Sequence, residues 1–189
     1  MAFLKLVNIS LVLILAQSVL CDHSDKILEH TIQNFASIPK HYEVIAANAT
    51  QYLLKDKALL ANHKPEVMEF KSKLNVFMDK YANSGKDISA SYEALDEFVD
   101  LTDYYYELPE DKVNDEYKFI IELLNKYNFK DISMELTTRL EKFFETFVKM
   151  FDENRSNYEK SVLEHFDKFT SLTNLEEKIK FFIDFALAD

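Results

Sequence analysis

Oxygen-bearing side chains alternate in one short stretch of the chain, Asp152-x-Asn154-x-Ser156. Alternating oxygens of this kind open the calcium-binding loop of an EF-hand, and the stretch lies between two helix-like patterns. Such a loop needs a bidentate glutamate at its twelfth position, where this chain has Leu163. We therefore interpret the stretch as a polar turn between helices, and we predict no metal site and no cofactor.

Metal-binding chemistry of another kind could arise at a processed N-terminus. Cleavage after Leu20 would make His23 the third residue, so that its imidazole, the terminal amine and backbone nitrogens form a square-planar donor set. Copper and nickel prefer that geometry. Cleavage after Ser18 or Cys21 destroys the arrangement, and we interpret it as a coincidence of spacing.

Residues for nucleophilic or phosphate chemistry do not cluster in the sequence. The chain has no glycine-rich phosphate loop, no nucleophile elbow and no His-Glu-x-x-His pattern. Its one cysteine is Cys21, and its 5 histidines are scattered. The sequence therefore predicts a protein that is not an enzyme.

Two acceptor sequences for N-linked glycans follow the first 21 residues, Asn48-Ala-Thr50 and Asn154-Arg-Ser156. Asn48 falls beside the apolar stripe of a predicted helix, so a glycan there must clear the packing edge. Asn154 falls in the predicted turn and is the better candidate of the two. If the surrounding helix runs through unbroken, Asn154 points towards the core and cannot be modified.

Residues 1–21 have the pattern of a secretory signal peptide. Lys5 supplies a positive start, and residues 11–15 supply an apolar centre too short to cross a bilayer. We predict removal of this segment, a single domain over residues 22–189, and a secreted, extracellular protein. Because the only cysteine is Cys21, the exported part must hold together by packing, without disulfides.

The charge balance of the chain excludes some partners. The sequence has 33 acidic and 22 basic side chains, a formal net charge of −11. A nucleic-acid-binding protein needs a concentrated basic face, which is missing here, so we predict no nucleic acid among its partners. No apolar stretch of about 18 residues follows the signal segment, so we predict no transmembrane anchor.

Turn residues are too rare in this chain for a β-rich fold. It contains 1 glycine and 3 prolines in 189 residues, whereas strands need turns every few positions. Apolar residues recur instead at helical spacing almost everywhere. Pro39, Pro65 and Pro109 are each expected to open a helix, Pro39 also to end the one before, and Gly85 to cap a helix end. We predict an all-α fold of seven or eight helices, an antiparallel bundle or a helical array.

Two sequences have the form of a capping box, residues 156–159 and 173–176. The first predicts a break between residues 152 and 156, although the apolar phase continues across it and one long helix is the alternative. The second predicts the start of the last helix at Thr173.

Aromatic residues concentrate in the last third of the chain. Ten of the 16 phenylalanines lie between Phe129 and Phe185. They widen the apolar faces of the sixth and last predicted helices, which must be central or must line a site. Core packing is the simplest interpretation, and an apolar cavity or groove is the second. A surface for a partner protein is the third, to which the run at residues 104–106 adds because three successive helical tyrosines cannot all face inward. The candidate residues for an apolar ligand are Phe143, Phe144, Phe147, Phe151 and Phe182.

Short motifs give the chain a family resemblance. The sequence Phe35-x-x-Ile38-Pro39 is followed by Val44-Ile45-Ala46, Tyr52-Leu53 and Asp56, and later by Leu108-Pro109-Glu110 and Leu123-Leu124. This pattern resembles the opening of the insect microvillar allergen-repeat family. Its members are secreted helical shells around an apolar cavity that carries fatty acids or phospholipids, so the resemblance implies lipid carriage. The chain departs from the family where Phe129-Lys130-Asp131 replaces an expected Gly-Leu-Asp.

From the sequence we predict a secreted helical protein that binds or carries an apolar small molecule, a fatty acid or other lipid, in a phenylalanine-rich interior. The alternative is a secreted interaction or effector protein, for example a salivary factor, that binds a partner protein through an exposed aromatic helix face.

Overall fold

The computed structural model of the chain describes residues 22–158 and 160–186. Within these ranges the chain forms eight α-helices and no strand, which confirms the predicted all-α fold class. The predicted signal peptide, residues 1–21, and the side chain of His23 lie outside the described residues. No helix in the described ranges is long and apolar enough to cross a membrane.

The helices are α1 (Asp22–Leu54), α2 (Lys57–Ala61), α3 (Pro65–Ser84), α4 (Ile88–Tyr106), α5 (Asp115–Lys126), α6 (Phe129–Glu153), α7 (Lys160–Ser171) and α8 (Leu175–Ala186), with 3₁₀ turns at Glu110–Lys112 and Arg155–Asn157.

Pro39 lies inside α1, so the expectation that it ends the first helix and opens a second was wrong. A proline in a helix interior removes one backbone hydrogen bond and crowds the preceding turn, at about 3 kcal/mol. Here the apolar stripe continues past it, with Ile38 only 4% exposed and Ala46 fully buried. Burial on both sides of the proline keeps the helix continuous despite that cost.

Side-chain caps fix where the central helices begin. Asp87 caps α4, because its carboxylate accepts hydrogen bonds from the backbone nitrogens of Ser89 (2.9 Å) and Ala90 (3.2 Å). Pro65 opens α3, and Gly85 ends it with a φ of 53°, as expected. Pro109 does not open a helix. It precedes the 3₁₀ turn, and α5 begins only after Asn114, whose side chain accepts from two backbone N–H groups.

The chain breaks between α6 and α7, as the first capping box predicted, and the alternative of one long helix was wrong. Helix α6 ends at Glu153 and α7 begins at Lys160. The last member of that capping box, Glu159, lies outside the described residues. The last helix begins one residue later than expected, because the side chain of Asn174, not Thr173, accepts from the backbone nitrogen of Glu177 at 3.2 Å.

The chain divides into two compact units. We call residues 36–140 the central unit, and the described parts of residues 1–35 and 141–189 the terminal unit. In the central unit α3 packs against α4 and α5, and α4 packs against α5. The ring of Phe98 lies 4.8 Å from that of Phe129 and 5.4 Å from that of Phe77, and all three side chains are fully buried.

Lys40 ties α1 to the connection between α3 and α4 inside the central unit. Its ammonium donates hydrogen bonds to the carbonyls of Gly85 (2.8 Å) and Asp87 (3.2 Å) and to the hydroxyl of Ser91. Its carboxylate partner is the buried Glu43, at 3.7 Å, which also accepts from Ser84. The cation thus links α1 to the end of α3 and to the start of α4.

Candidate functional site

The terminal unit is built around a cluster of phenylalanine rings that we call the phenylalanine cluster. The five side chains proposed from the sequence as candidates for an apolar ligand all belong to it. Phe182 lies at its centre, with ring centroids 4.5 Å from Phe35, 5.0 Å from Phe147 and 5.3 Å from Phe143. The members of the cluster are Phe35, Phe143, Phe144, Phe147, Phe151, Phe166, Phe169 and Phe182.

Stacked rings close the end of the cluster nearest the α6–α7 turn. The ring of Phe151 lies 3.8 Å from Phe166 with the planes only 8° apart, and it lies 4.3 Å from Tyr158 on a similar plane. Because Phe151 is the last apolar residue of α6, this stack packs the end of α6 against α7.

The phenylalanine cluster is closely packed. Phe182, Phe144, Phe147 and Phe151 are 1%, 3%, 6% and 6% exposed, and Phe143 is half-buried. The cavity beside Phe147, Phe151 and Phe182 measures about 20 Å³, which is room for about one water molecule. Pockets that hold drug-sized ligands measure about 300–1,000 Å³. These five side chains therefore act as core in this conformation. The cavity is lined by Phe147, Phe151, Val162, His165, Phe166, Phe169, Phe181 and Phe182.

A much larger groove lies on the surface of the same unit, between α6 and the start of α8. It measures about 990 Å³. Its apolar lining is Phe144, Val148 and Leu175, and Phe144 also belongs to the phenylalanine cluster. We call it the acidic groove, because its charged lining has more carboxylates than lysines: Glu141, Glu145, Asp152 and Glu153 against Lys149 and Lys178.

Carboxylates line the α6 side of this groove over its whole length. Glu141 and Glu145 are one helical turn apart on α6, and both are exposed. Asp152 and Glu153, two to three turns further along α6, are exposed as well, and Asp152 contacts Arg155 at 3.5 Å. The groove therefore has an apolar floor and carboxylates along one side.

The residues that resemble an EF-hand opening bond within the α6–α7 turn. Asp152 pairs with Arg155, and the side-chain amide of Asn154 donates to the carbonyl of Met150 at 2.8 Å. Among the described residues, no three His, Cys, Asp or Glu side chains gather in a way that could hold a metal ion. The polar-turn interpretation accounts for the geometry seen here.

Asp56 is a buried polar junction of the central unit that sequence reasoning missed. One carboxylate oxygen accepts from the ammonium of Lys126 (2.6 Å) and the hydroxyl of Tyr127 (2.8 Å). The other accepts from the backbone nitrogens of Ala58 (2.7 Å) and Leu59 (3.4 Å), which caps α2. The hydrogen bonds from Lys126 and Tyr127 hold the pKa of Asp56 well below its usual range. The junction joins α2 to the end of α5.

A groove of smaller volume lies on the central unit, and we call it the tyrosine groove. It measures about 450 Å³. On α1 it is lined by Ile45, Ala49 and Tyr52, and Tyr52 is 68% exposed. Its other residues are Lys126, Tyr127, Asn128, Asp131, Ile132 and Glu135.

The tyrosine run at residues 104–106 faces three different environments, as its helical position predicted. Tyr105 is 1% exposed, Tyr104 is 45% exposed and Tyr106 is half-buried. Lys73 lies 4.4 Å from the Tyr104 ring, and Tyr106 donates a hydrogen bond to Asn125 at 2.7 Å. Both the exposed and the half-buried tyrosine of this run therefore contact side chains of the central unit.

The two candidate glycan acceptors lie in different surroundings. Asn48 is exposed on α1, and Thr50 of the same acceptor sequence is fully buried. Asn154 is half-buried in the α6–α7 turn.

No protein-family model, no curated protein and no solved structure matches this chain. The resemblance to the insect microvillar allergen-repeat family therefore stays a prediction, and the function has to be argued from the acidic groove and the phenylalanine cluster.

Proposed function

We propose that this chain is a secreted binding protein that holds an amphipathic helical segment of a partner protein in its acidic groove. One observation carries the proposal, the combination of an apolar floor and an excess of carboxylates in a groove of about 990 Å³. This is the interaction function that the sequence offered as its alternative, now assigned to a different surface. The proposal involves no covalent chemistry.

The dimensions of the groove suit a helix. Residues 141–153 of α6 line one side of it and rise roughly 18 Å along the helix axis, which equals about three turns of a partner helix. The accessible part of the apolar floor comes from the half-buried side chains of Val148 and Leu175, and Phe144, one turn before Val148, lies beneath them at 3% exposure. Helices bind in such grooves through apolar anchors that repeat every three or four residues.

The charges favour a basic partner. The exposed carboxylates of Glu141 and Glu145 would attract lysine or arginine side chains that flank the apolar face of the bound helix. The whole chain carries −11, so its long-range field also attracts cationic partners and speeds their association.

A synthetic peptide tests the proposal without knowledge of the natural partner. The probe is a helical peptide of about 18 residues with leucines on one face and lysines on the other. We expect isothermal titration calorimetry to show binding, and the double variant Glu141→Lys, Glu145→Lys to weaken it at least about tenfold, because two of the four carboxylates of the groove are reversed. A peptide with glutamates in place of the lysines should not bind.

A matched variant distinguishes the effect of charges in the acidic groove from the effect of the net charge of the protein. Glu93→Lys with Glu122→Lys changes the net charge by the same amount, at two exposed positions of the central unit. We expect this variant to bind the lysine peptide as the parent does. Equal weakening in both double variants would mean that the peptide senses only net charge, and the acidic groove would then not be the site.

Carriage of an apolar ligand is the second proposal, supported by the lining of the small cavity in the phenylalanine cluster, which is apolar apart from His165. A fatty acid would have to widen this cavity of about 20 Å³ by moving α7 or α8. Native mass spectrometry of the secreted chain, before and after solvent extraction, tests it. A lipid mass that disappears on extraction is expected; a chain that never carries one, even after incubation with oleate, contradicts carriage.

A further inference from the structure

Thr50 is a polar residue at a fully buried position of α1, where its hydroxyl contributes nothing to the packing. It is 0% exposed, as are Ala46 one turn before it and Leu53 one turn after it. Its hydroxyl has no hydrogen-bond partner among the described residues. An unpaired buried hydroxyl destabilises a fold, and valine has the same shape without it. Helix propensity does not favour threonine over valine either.

A glycosylation signal accounts for the hydroxyl of Thr50, which core packing does not explain. Asn48-Ala-Thr50 is a recognition sequence for N-linked glycosylation, which requires a hydroxyl two residues after the asparagine. The asparagine itself is exposed on the outer side of α1. The transfer takes place on the extended chain during export, when Thr50 is accessible, and the hydroxyl becomes buried only afterwards.

The surface around Asn48 is also suited to being covered. Val44 and Tyr52 lie one turn before and one turn after it, so both are its neighbours on the helix surface. They are 47% and 68% exposed, so both present apolar surface to water beside Asn48. A glycan attached at Asn48 would shield both of them from water.

We propose that Asn48 carries an N-linked glycan, and that Thr50 is present at a buried position because the glycosylation signal requires its hydroxyl. The donor is a lipid-diphosphate-linked oligosaccharide. The side-chain nitrogen of Asn48 attacks the anomeric carbon of this donor, a C–N bond replaces the C–O bond, and the lipid diphosphate leaves with the electron pair. The amide loses one proton in exchange. The proposal rests on the predicted export of the chain.

This assignment reverses the preference derived from the sequence, which favoured Asn154. In the structure Asn154 is half-buried, and its amide donates to the carbonyl of Met150 at 2.8 Å, so it helps to end α6. A glycan on this nitrogen would have to leave that hydrogen bond at the end of α6 intact or replace it. The side chain of Asn48 is exposed on α1, so a glycan there could extend into solvent.

Intact mass spectrometry of the full chain, secreted from a eukaryotic host under its own N-terminal segment, tests the proposal. We expect the protein to lose mass on treatment with peptide N-glycosidase, with the modified residue mapped to Asn48. Asn48→Gln and Thr50→Val should both lack this glycan. Ser156→Ala, which removes only the other acceptor sequence, should keep it.

A second readout tests the role assigned to Thr50. Thr50→Val is expected to unfold at the same temperature as enzymatically deglycosylated parent protein or at a higher one, because it replaces an unpaired buried hydroxyl by a methyl group. A clearly lower midpoint would show that the fold needs the hydroxyl and would overturn its assignment. Secreted protein without a glycan at Asn48, or a chain that stays in the cytosol, would overturn the modification itself.

Discussion

Replacement of Phe182 by alanine is expected to lower the free energy of unfolding by about 3–5 kcal/mol, the usual loss for a phenylalanine removed from a packed core. Phe182 is 1% exposed. Its ring lies within 5.8 Å of the rings of Phe35, Phe143, Phe144 and Phe147. Urea denaturation followed by circular dichroism measures the loss as a change in midpoint at an unchanged slope.

The neighbouring residue provides the matched control. Phe181 is half-buried, and its contacts are a ring 5.9 Å away, that of Phe169, and the ammonium of Lys168 at 5.7 Å. Phe181→Ala removes the same atoms, so we expect a loss of less than half that of Phe182→Ala. If both substitutions cost the same, Phe182 is not the centre of the cluster and the packing described for the terminal unit is wrong.

Asp56→Ala is expected to destabilise the protein by about 2–3 kcal/mol, because it removes a helix cap together with hydrogen bonds to a charged group. The carboxylate is 5% exposed and accepts from four donors, two of them in the backbone of α2. Asp79→Asn, an exposed aspartate on α3, should change the stability very little. Chemical denaturation at pH 7 measures both variants.

The same junction predicts a dependence on pH. The folded state holds the pKa of Asp56 below its usual value of 3.8. As the pH falls, the unfolded chain therefore takes up a proton at this residue at a higher pH than the folded chain does. The stabilisation by Asp56 is therefore complete above about pH 5 and declines as the pH falls below about 4. The difference in unfolding free energy between the parent and Asp56→Asn should shrink from pH 5 towards pH 2. A difference that stays constant over this range would contradict the lowered pKa.

Local signals in the sequence were enough to predict much of the fold. Pro65 and Gly85 act within one turn of their own positions, so the two ends of α3 could be predicted from neighbouring residues. Pro39 could not be treated in this way. Its effect depends on how strongly the residues on both sides are buried, which only the packed structure shows.

The candidate sites differ in the same way: local patterns predict some of them, and others depend on residues that are far apart in the chain. Helical periodicity singled out five of the eight members of the phenylalanine cluster, since their apolar spacing is visible in the sequence. The acidic groove was missed because its lining is mostly charged and comes from two separate segments, residues 141–153 and 173–178. Asp56 was missed as a junction because Lys126 and Tyr127 lie 70 and 71 residues away along the chain.

The assignment of the acidic groove as a partner-binding site is tested most directly by nuclear magnetic resonance. Isotopically labelled protein is titrated with the lysine-faced peptide, and the changes in backbone amide shifts are mapped onto the sequence. The account predicts that the largest changes fall in residues 141–153 and 173–178, on both sides of the groove. Changes spread over the acidic surface of the central unit, or centred on the tyrosine groove, would contradict it.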